Sequence, residues 1–287
     1  MIVVTGANGR LGRLVVEKLL DRVPAEEIGV SVRDPDRARA FAERGVRVRR
    51  GDFADPASLA HAFEDASKVL VVSADAVGET AVGGHRTAIE SAAAAGAKRV
   101  LYTSHMGADP SSPFPPMPDH AATEQDLQRS GVPFTSLRNG FYAASAAMLL
   151  GAAVETGELV APEDGPVAWT AHADLAEAAA LALADGTDEL DGFTPALTAA
   201  ETVDMAGIAE IASRITGRTI RRVVVSDADY RSGLVGHGVP EPAADLLVGL
   251  FAASRQGAFA PADPALARLL GRPTVPVEDV LRAAIPA

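Results

Sequence analysis

The chain is predicted to be an α/β protein, a doubly wound parallel sheet followed by a smaller C-terminal α/β lobe. Three observations predict this. Short β-branched runs alternate with amphipathic stretches through the first half, as stacked βαβ units do. A glycine turn, Gly6-Ala7-Asn8-Gly9-Arg10-Leu11-Gly12, lies directly between the first apolar run and the first periodic helix. The 287 residues, 48% of them hydrophobic, suffice for one long domain or for a domain with a second lobe.

Strands are expected at Ile2–Thr5, Ile28–Arg33, Val46–Arg49, Lys68–Val72, Arg99–Thr103 and Phe134–Arg138, each flanked by Gly, Asp or Pro. Helices are expected between them, at Arg13–Leu20, Pro35–Arg44, Pro56–Phe63, Thr80–Ala95 and Ala121–Ser130. Asp34-Pro35 and Asp55-Pro56 read as an N-cap followed by a proline at the first helical position. The segment Asp109–Pro118 holds five prolines and is read as a surface loop, neither helix nor central strand. After the fifth strand such a loop can be a lid over a ligand crevice or, equally, a stiff connector.

Past residue 145 the βαβ rhythm weakens, with a helix at Ala173–Leu183, a strand near Gly192–Leu197, a helix at Val203–Ile215 and a strand at Thr219–Val225. Thr202 and Asp227 are the expected caps of the later helices. The division read from this is a Rossmann domain over 1–145, whose sheet can recruit later segments, and a smaller lobe over 146–287 that contributes to the substrate pocket.

Composition removes several function classes. There is no cysteine, hence no disulfide, no thiolate nucleophile and no thiolate metal site. A net charge of −12 without a block of Lys or Arg argues against nucleic acid as a partner and leaves a small molecule. No apolar run approaches the ~20 residues that cross a bilayer. The first strand is interrupted by Thr5 and Gly6 with no basic segment before it, which makes a cytoplasmic location the expectation.

The glycine turn is where chemistry enters. Gly6 permits a tight turn, Gly9 lets a pyrophosphate approach the backbone, and Gly12 lets the helix press onto the strand. Asn8, Arg10 and Leu11 complete the turn, and the helix N-terminus adds amide donors. At the end of the second strand stands Arg33, with Arg37 one helical turn on, a pair suited to the 2′-phosphate of NADPH. Asp34 beside them keeps NADH open. Asp52 and Phe53 are read either as adenine contacts or as a turn residue and a core residue. Ser73-Ala74-Asp75 closes the fourth strand with small residues, where the pyrophosphate and nicotinamide ribose would pass.

The chain lacks the Tyr and Lys, spaced by four, that activate alcohols in short-chain dehydrogenases: Tyr102, Tyr142 and Tyr230 are followed at that spacing by Met106, Ala146 and Leu234. In the corresponding place stand His120 and Glu124, four residues apart on one helical face. His120 is the candidate to protonate or orient an acceptor, with Glu124 fixing its tautomer, unless the two are an ordinary helix-surface pair. His61, His85, His105, His172 and His237 show no metal spacing. A conjugated acceptor such as a quinone fits this inventory, since reduced quinone is stabilised by resonance and needs no strong acid.

Thr5–Gly12, Val32–Pro35, Gly51–Phe53, Ser73 with Val77-Gly78, His85-Arg86, Tyr102–Ser104, His120 with Thr123-Glu124, and Leu137–Tyr142 together resemble the NmrA-like atypical short-chain dehydrogenase/reductase family, closest to its type 2 NAD(P)H:quinone oxidoreductase branch. The resemblance implies that Thr103 and Ser104 sit by the cofactor. It also implies that Asn139, Gly140, Phe141 and Tyr142 form part of the nicotinamide and acceptor pocket, with an aromatic wall from Phe141 or Tyr142. Ala74 and Asp75, His172 and the proline-rich segment depart from the family pattern. The function implied is hydride transfer from NADPH to a quinone or similar conjugated acceptor. The alternative is a non-catalytic NADP-binding redox sensor that regulates a partner. A homodimer is open on either reading.

Overall fold

The computed structural model describes residues 1–184 and 190–285. Its strands are β1 (Ile2–Thr5), β2 (Ile28–Val32), β3 (Arg47–Arg50), β4 (Lys68–Val71), β5 (Arg99–His105), β6 (Phe134–Asn139), β7 (Glu158–Pro162), β8 (Gly192–Phe193) and β9 (Arg221–Val225). The helices are α1 (Arg10–Leu20), α2 (Arg39–Ala42), α3 (Pro56–Ala62), α4 (Glu79–Ala94), α5 (Pro116–Arg129), α6 (Ala143–Leu150) and α7 (Ala153–Thr156), then α8 (His172–Ala184), α9 (Met205–Thr216), α10 (Asp227–Gly236), α11 (Glu241–Arg255), α12 (Ala265–Leu270) and α13 (Val277–Ala284).

Seven strands form one parallel sheet in the order β3-β2-β1-β4-β5-β6-β8. Such a sheet is covered on both faces, which is why β1 and β2 are buried at every position. Alternate residues still divide between the faces. Val4, Leu70, Leu101 and Leu137 pack with Val15 and Leu19 of α1 and Leu175 and Ala179 of α8. Val3, Val69, Val71 and Tyr102 pack with Leu59 of α3, Ile89 of α4 and Leu127 of α5. Each fully buried Val, Leu or Ile in these layers contributes about 1.5–3 kcal/mol.

After α6 and α7 the chain returns to this sheet, α8 packing on α1 through its alanines while β8 pairs with β6. A second core unites α6, α9, α11 and α13 with the two-stranded parallel sheet β7-β9. Trp169 centres it, 2% exposed, its indole N–H donating to the Val203 carbonyl at 2.8 Å.

Asp34 and Asp55 cap as expected, accepting from the amides of Asp36 and Ser58. The later caps fall elsewhere. Asp204, not Thr202, caps α9, and Ser226, not Asp227, caps α10. Asp227 is instead the first helical residue and pairs with Arg255 at 2.7 Å. The proline-rich segment is also corrected, because α5 begins inside it, at Pro116. Pro115 is the cap and Pro116 and Pro118 occupy the first turn, where backbone N–H groups have no helical partner for a proline to remove. Phe114 anchors what precedes, buried against Phe141 and Phe259.

Candidate active site

The strand order reverses between β1 and β4, and in an open parallel sheet the ligand crevice lies beyond the carboxyl ends of the strands at that point. The glycine turn stands there. Gly6 adopts φ +64° and its amide donates to the Ser31 carbonyl at 3.1 Å. A Cβ on Gly12 would lie 2.5 Å from the Gly6 carbonyl oxygen, so only glycine lets α1 start this close to the turn. Leu11 is buried and anchors the helix, while Gly9 caps it without a side-chain bond. The first-turn amides of α1 therefore point outward with no acidic residue beside them, an arrangement that suits an anion.

Asn8 ties this turn to the next loop by donating from Nδ2 to the Asp34 carbonyl at 2.8 Å. Arg10, Arg33 and Arg37 are exposed around it, and none is in an ion pair with another described residue. The Asp34 carboxylate is engaged as the cap of the turn Pro35–Ala38, accepting from the Asp36 amide at 3.1 Å. This cradle fits a nicotinamide dinucleotide carrying a 2′-phosphate. Asp52 bonds within its own turn, Oδ1 accepting from the Ala54 amide at 3.1 Å. Phe53 packs on Gly84 of α4 and edge-on to His85, with ring centroids 6.2 Å apart.

Beside the cradle lies a cavity of about 250 Å³ between the loop after β4, the start of α5 and Leu246 of α11. Neighbouring strands hold that loop. Val72 donates to the Thr5 hydroxyl at 2.9 Å, and Ser73 to the Thr103 hydroxyl at 2.8 Å. The Ala74 amide donates to Nε2 of His85 at 2.8 Å, and the Gly78 amide to Asp119 Oδ2 at 2.6 Å. Asp75 and Val77 are exposed at the cavity's rim.

His120 lines the same cavity, its Nδ1 held 2.8 Å from the Tyr102 hydroxyl and its ring stacked on His105 at 6.0 Å. Burial lowers its pKa to about 4 and that of His85 to about 3, and drives that of His105 well below the ordinary value, so all three rings are neutral at pH 7. Glu124 is not the partner of His120. Its carboxylate accepts from Arg138 Nε and Nη2 at 3.0 and 2.8 Å, and from Ser104 and Ser136 at 2.9 and 2.8 Å. Residues of β5 and β6 claim it because α5 lies across both strands, a relation that helix spacing does not contain.

The four residues from Asn139 to Tyr142 are not among those that line this cavity. Asn139 is 2% exposed and its Oδ1 has no hydrogen-bond partner among the described residues, an orphan of the kind a ligand satisfies. Gly140 answers to packing, since a Cβ there would meet Thr170 Oγ1 at 2.2 Å. Phe141 is buried among the rings of His105, Phe114, Trp169 and Phe259. Tyr142 stacks on His172 at 4.2 Å, and burial pushes its phenol up to about 12.

His85, Tyr102, His105 and His172 are the members of this constellation to which sequence reasoning gave no role. His85 and Tyr102 lie in segments that resemble the NmrA-like family, which is the one signal that points to them.

Known proteins are similar to this chain in sequence and in fold. Residues 6–186 match the model of a family described as NAD(P)H-binding. The chain is 35% identical to quinone oxidoreductase 2 of Escherichia coli K12 over 97% of this chain and 96% of that protein. The crystal structure of the NADPH-dependent quinone oxidoreductase of E. coli complexed with NADPH superposes with a TM-score of 0.93, at 33% identity over 99% of both chains. That of the Citrobacter sp. triphenylmethane reductase complexed with NADP(H) does so with a TM-score of 0.91, at 32% identity over 99% of this chain and 100% of that one.

Proposed function

We infer the function from the premise that this chain belongs to the NAD(P)H-binding family: it is an NAD(P)H-dependent oxidoreductase that reduces a quinone or similar conjugated small molecule. The observation that carries the acceptor class is the cavity beside the glycine cradle, where the neutral imidazole of His120 stands and no Lys or Arg lines the wall. A bound NADPH supplies hydride. The turn from Gly6 to Gly12 holds its pyrophosphate, and Arg33, with Arg37, takes the 2′-phosphate. Asn139, Ser73 and the wall from Phe141 to Tyr142 position the reacting rings.

The acceptor enters between Val77 and Leu246 and lies with an oxygen toward His120. Such chemistry asks for alignment, exclusion of water and stabilisation of charge on the acceptor's oxygen, all of which a rigid, half-buried cavity supplies. The relatives are named as reductases, which favours turnover over the sensor alternative. The test is oxidation of NADPH followed by its absorbance against a panel of quinones, azo dyes and triarylmethane dyes. Tight dinucleotide binding with no oxidation by any of them would overturn this reading.

A further inference from the structure

One backbone amide fixes the tautomer of His85 and, through it, the hydrogen bonds that run from His85 to His120. The Ala74 amide lies 2.8 Å from Nε2 of His85 and can only donate, so Nε2 carries a lone pair and the proton of that neutral ring is on Nδ1. Nδ1 stands 3.0 Å from Thr123 Oγ1 and 3.5 Å from the Tyr102 hydroxyl. Thr123 gives its own proton to the Asp119 carbonyl at 2.9 Å, which leaves its oxygen to accept from His85. The Tyr102 hydroxyl reaches both Thr123 and Nδ1 of His120, the latter at 2.8 Å; Thr123 Oγ1 already accepts from His85, so the Tyr102 proton goes to Nδ1 of His120. An accepting Nδ1 leaves the proton of a neutral His120 on Nε2, the nitrogen that Tyr102 does not hold.

We propose that His120 serves the reaction as an uncharged N–H donor to the acceptor's oxygen, in an Nε2–H tautomer imposed by the Ala74 amide through His85 and Tyr102. It keeps that proton. His85 and Tyr102 are positioning residues. This rests on the reductase reading above. An acceptor that receives hydride on carbon carries the accompanying negative charge on its oxygen. The Nε2–H bonds that oxygen, and water protonates it afterwards. Transfer of the Nε2 proton would require Nδ1 to take the proton of Tyr102, leaving a phenolate on a side chain that is 0% exposed. Burial pushes that phenol's pKa strongly upward, which opposes the transfer. The titratable groups around His120 are His85 on α4, Tyr102 and His105 on β5, Asp119 on α5 and Asp75 on the loop after β4.

The test joins spectroscopy to two substitutions. Long-range proton–nitrogen correlation spectra of the ¹⁵N-histidine-labelled protein at neutral pH, without cofactor, should show His85 as Nδ1–H and His120 as Nε2–H. His120→Gln keeps an uncharged N–H but cannot titrate, and should hold kcat within about tenfold of wild type. His120→Leu keeps only bulk and should lose roughly 100- to 1000-fold, as removal of a single donor to a developing oxyanion does. The wild-type kcat should be level from about pH 5 to 8, through the ordinary histidine range. The proposal is overturned by His120 carrying its proton on Nδ1 or on both nitrogens. Equal losses in the two variants, or a kcat that falls as pH rises through about 6.5, would overturn it too. The spectra need no turnover: correct tautomers in a protein that reduces no acceptor would sink the reductase reading, whereas wrong tautomers with intact turnover would sink this proposal alone.

Discussion

Arg138 grips Glu124 at two points, Nε to Oε1 at 3.0 Å and Nη2 to Oε2 at 2.8 Å, and so fastens β6 to the helix that carries His120. The carboxylate is 6% exposed and also takes the hydroxyl protons of Ser104 and Ser136, while Arg138 keeps 35% of its side-chain surface. Glu124→Ala therefore strands a half-buried guanidinium and two hydroxyls. The expected loss is about 3 kcal/mol, the low end for breaking a buried pair because Arg138 retains water. Urea unfolding measures it. A variant as stable as wild type would remove the structural role assigned to this pair.

Arg33 is expected to decide between NADPH and NADH. It is exposed at the end of β2, unpaired with any described residue, while the neighbouring Asp34 is engaged as a cap. A charge-assisted hydrogen bond to phosphate is worth about 1.5–3 kcal/mol, so Arg33→Ala should raise KM for NADPH about 10- to 100-fold. KM for NADH should hardly move. Equal changes for the two cofactors would place the 2′-phosphate elsewhere, Arg37 and Arg10 being the next variants to make.

Much of the frame was legible because it depends on short-range rules. The β-branched runs, the glycine turn and the Asp-Pro caps are local patterns, and each appears where expected. The prolines before α5 misled because the same residue that breaks a helix interior is welcome in its first turn. The spacing of His120 and Glu124 misled for a different reason. Helical geometry says which side chains share a face, but Tyr102 and Arg138, on two different strands, compete for them and win. The resemblance pointed to His85, but its bonding was not legible because its partners Ala74, Tyr102 and Thr123 meet only when β4, β5 and α5 assemble.

Gly12 gives a test of the cradle that does not involve charge. The Cβ of Gly12→Ala would lie 2.5 Å from the Gly6 carbonyl oxygen and 2.8 Å from its carbon, both backbone atoms that no side-chain rotation can clear. The turn must open, at a cost of about 1–3 kcal/mol in stability. NADPH affinity should fall at least tenfold as the first-turn amides lose their alignment. Fluorescence titration with the reduced dinucleotide and a thermal melt report the two effects, and unchanged affinity would show that the turn does not hold the pyrophosphate.

The buried histidines make stability depend on pH in a predictable sense. Burial lowers His85 to about 3, His120 and His172 to about 4, and His105 well below its ordinary value of 6.5. The folded state keeps these rings neutral at a pH where the unfolded chain protonates them, so below about 6.5 the unfolded state binds more protons and acid favours it. Stability is therefore full above pH 6.5, falls as pH drops, and levels off for each ring only near its folded pKa. Each histidine held neutral in this way favours the unfolded chain as pH falls, and all four act in the same sense. Urea unfolding of the cofactor-free protein at intervals from pH 6.5 down to about 4 should show the midpoint falling throughout. A midpoint constant over that interval would mean that these rings are hydrated in solution, and the neutral imidazole assigned to His120 would fall with it.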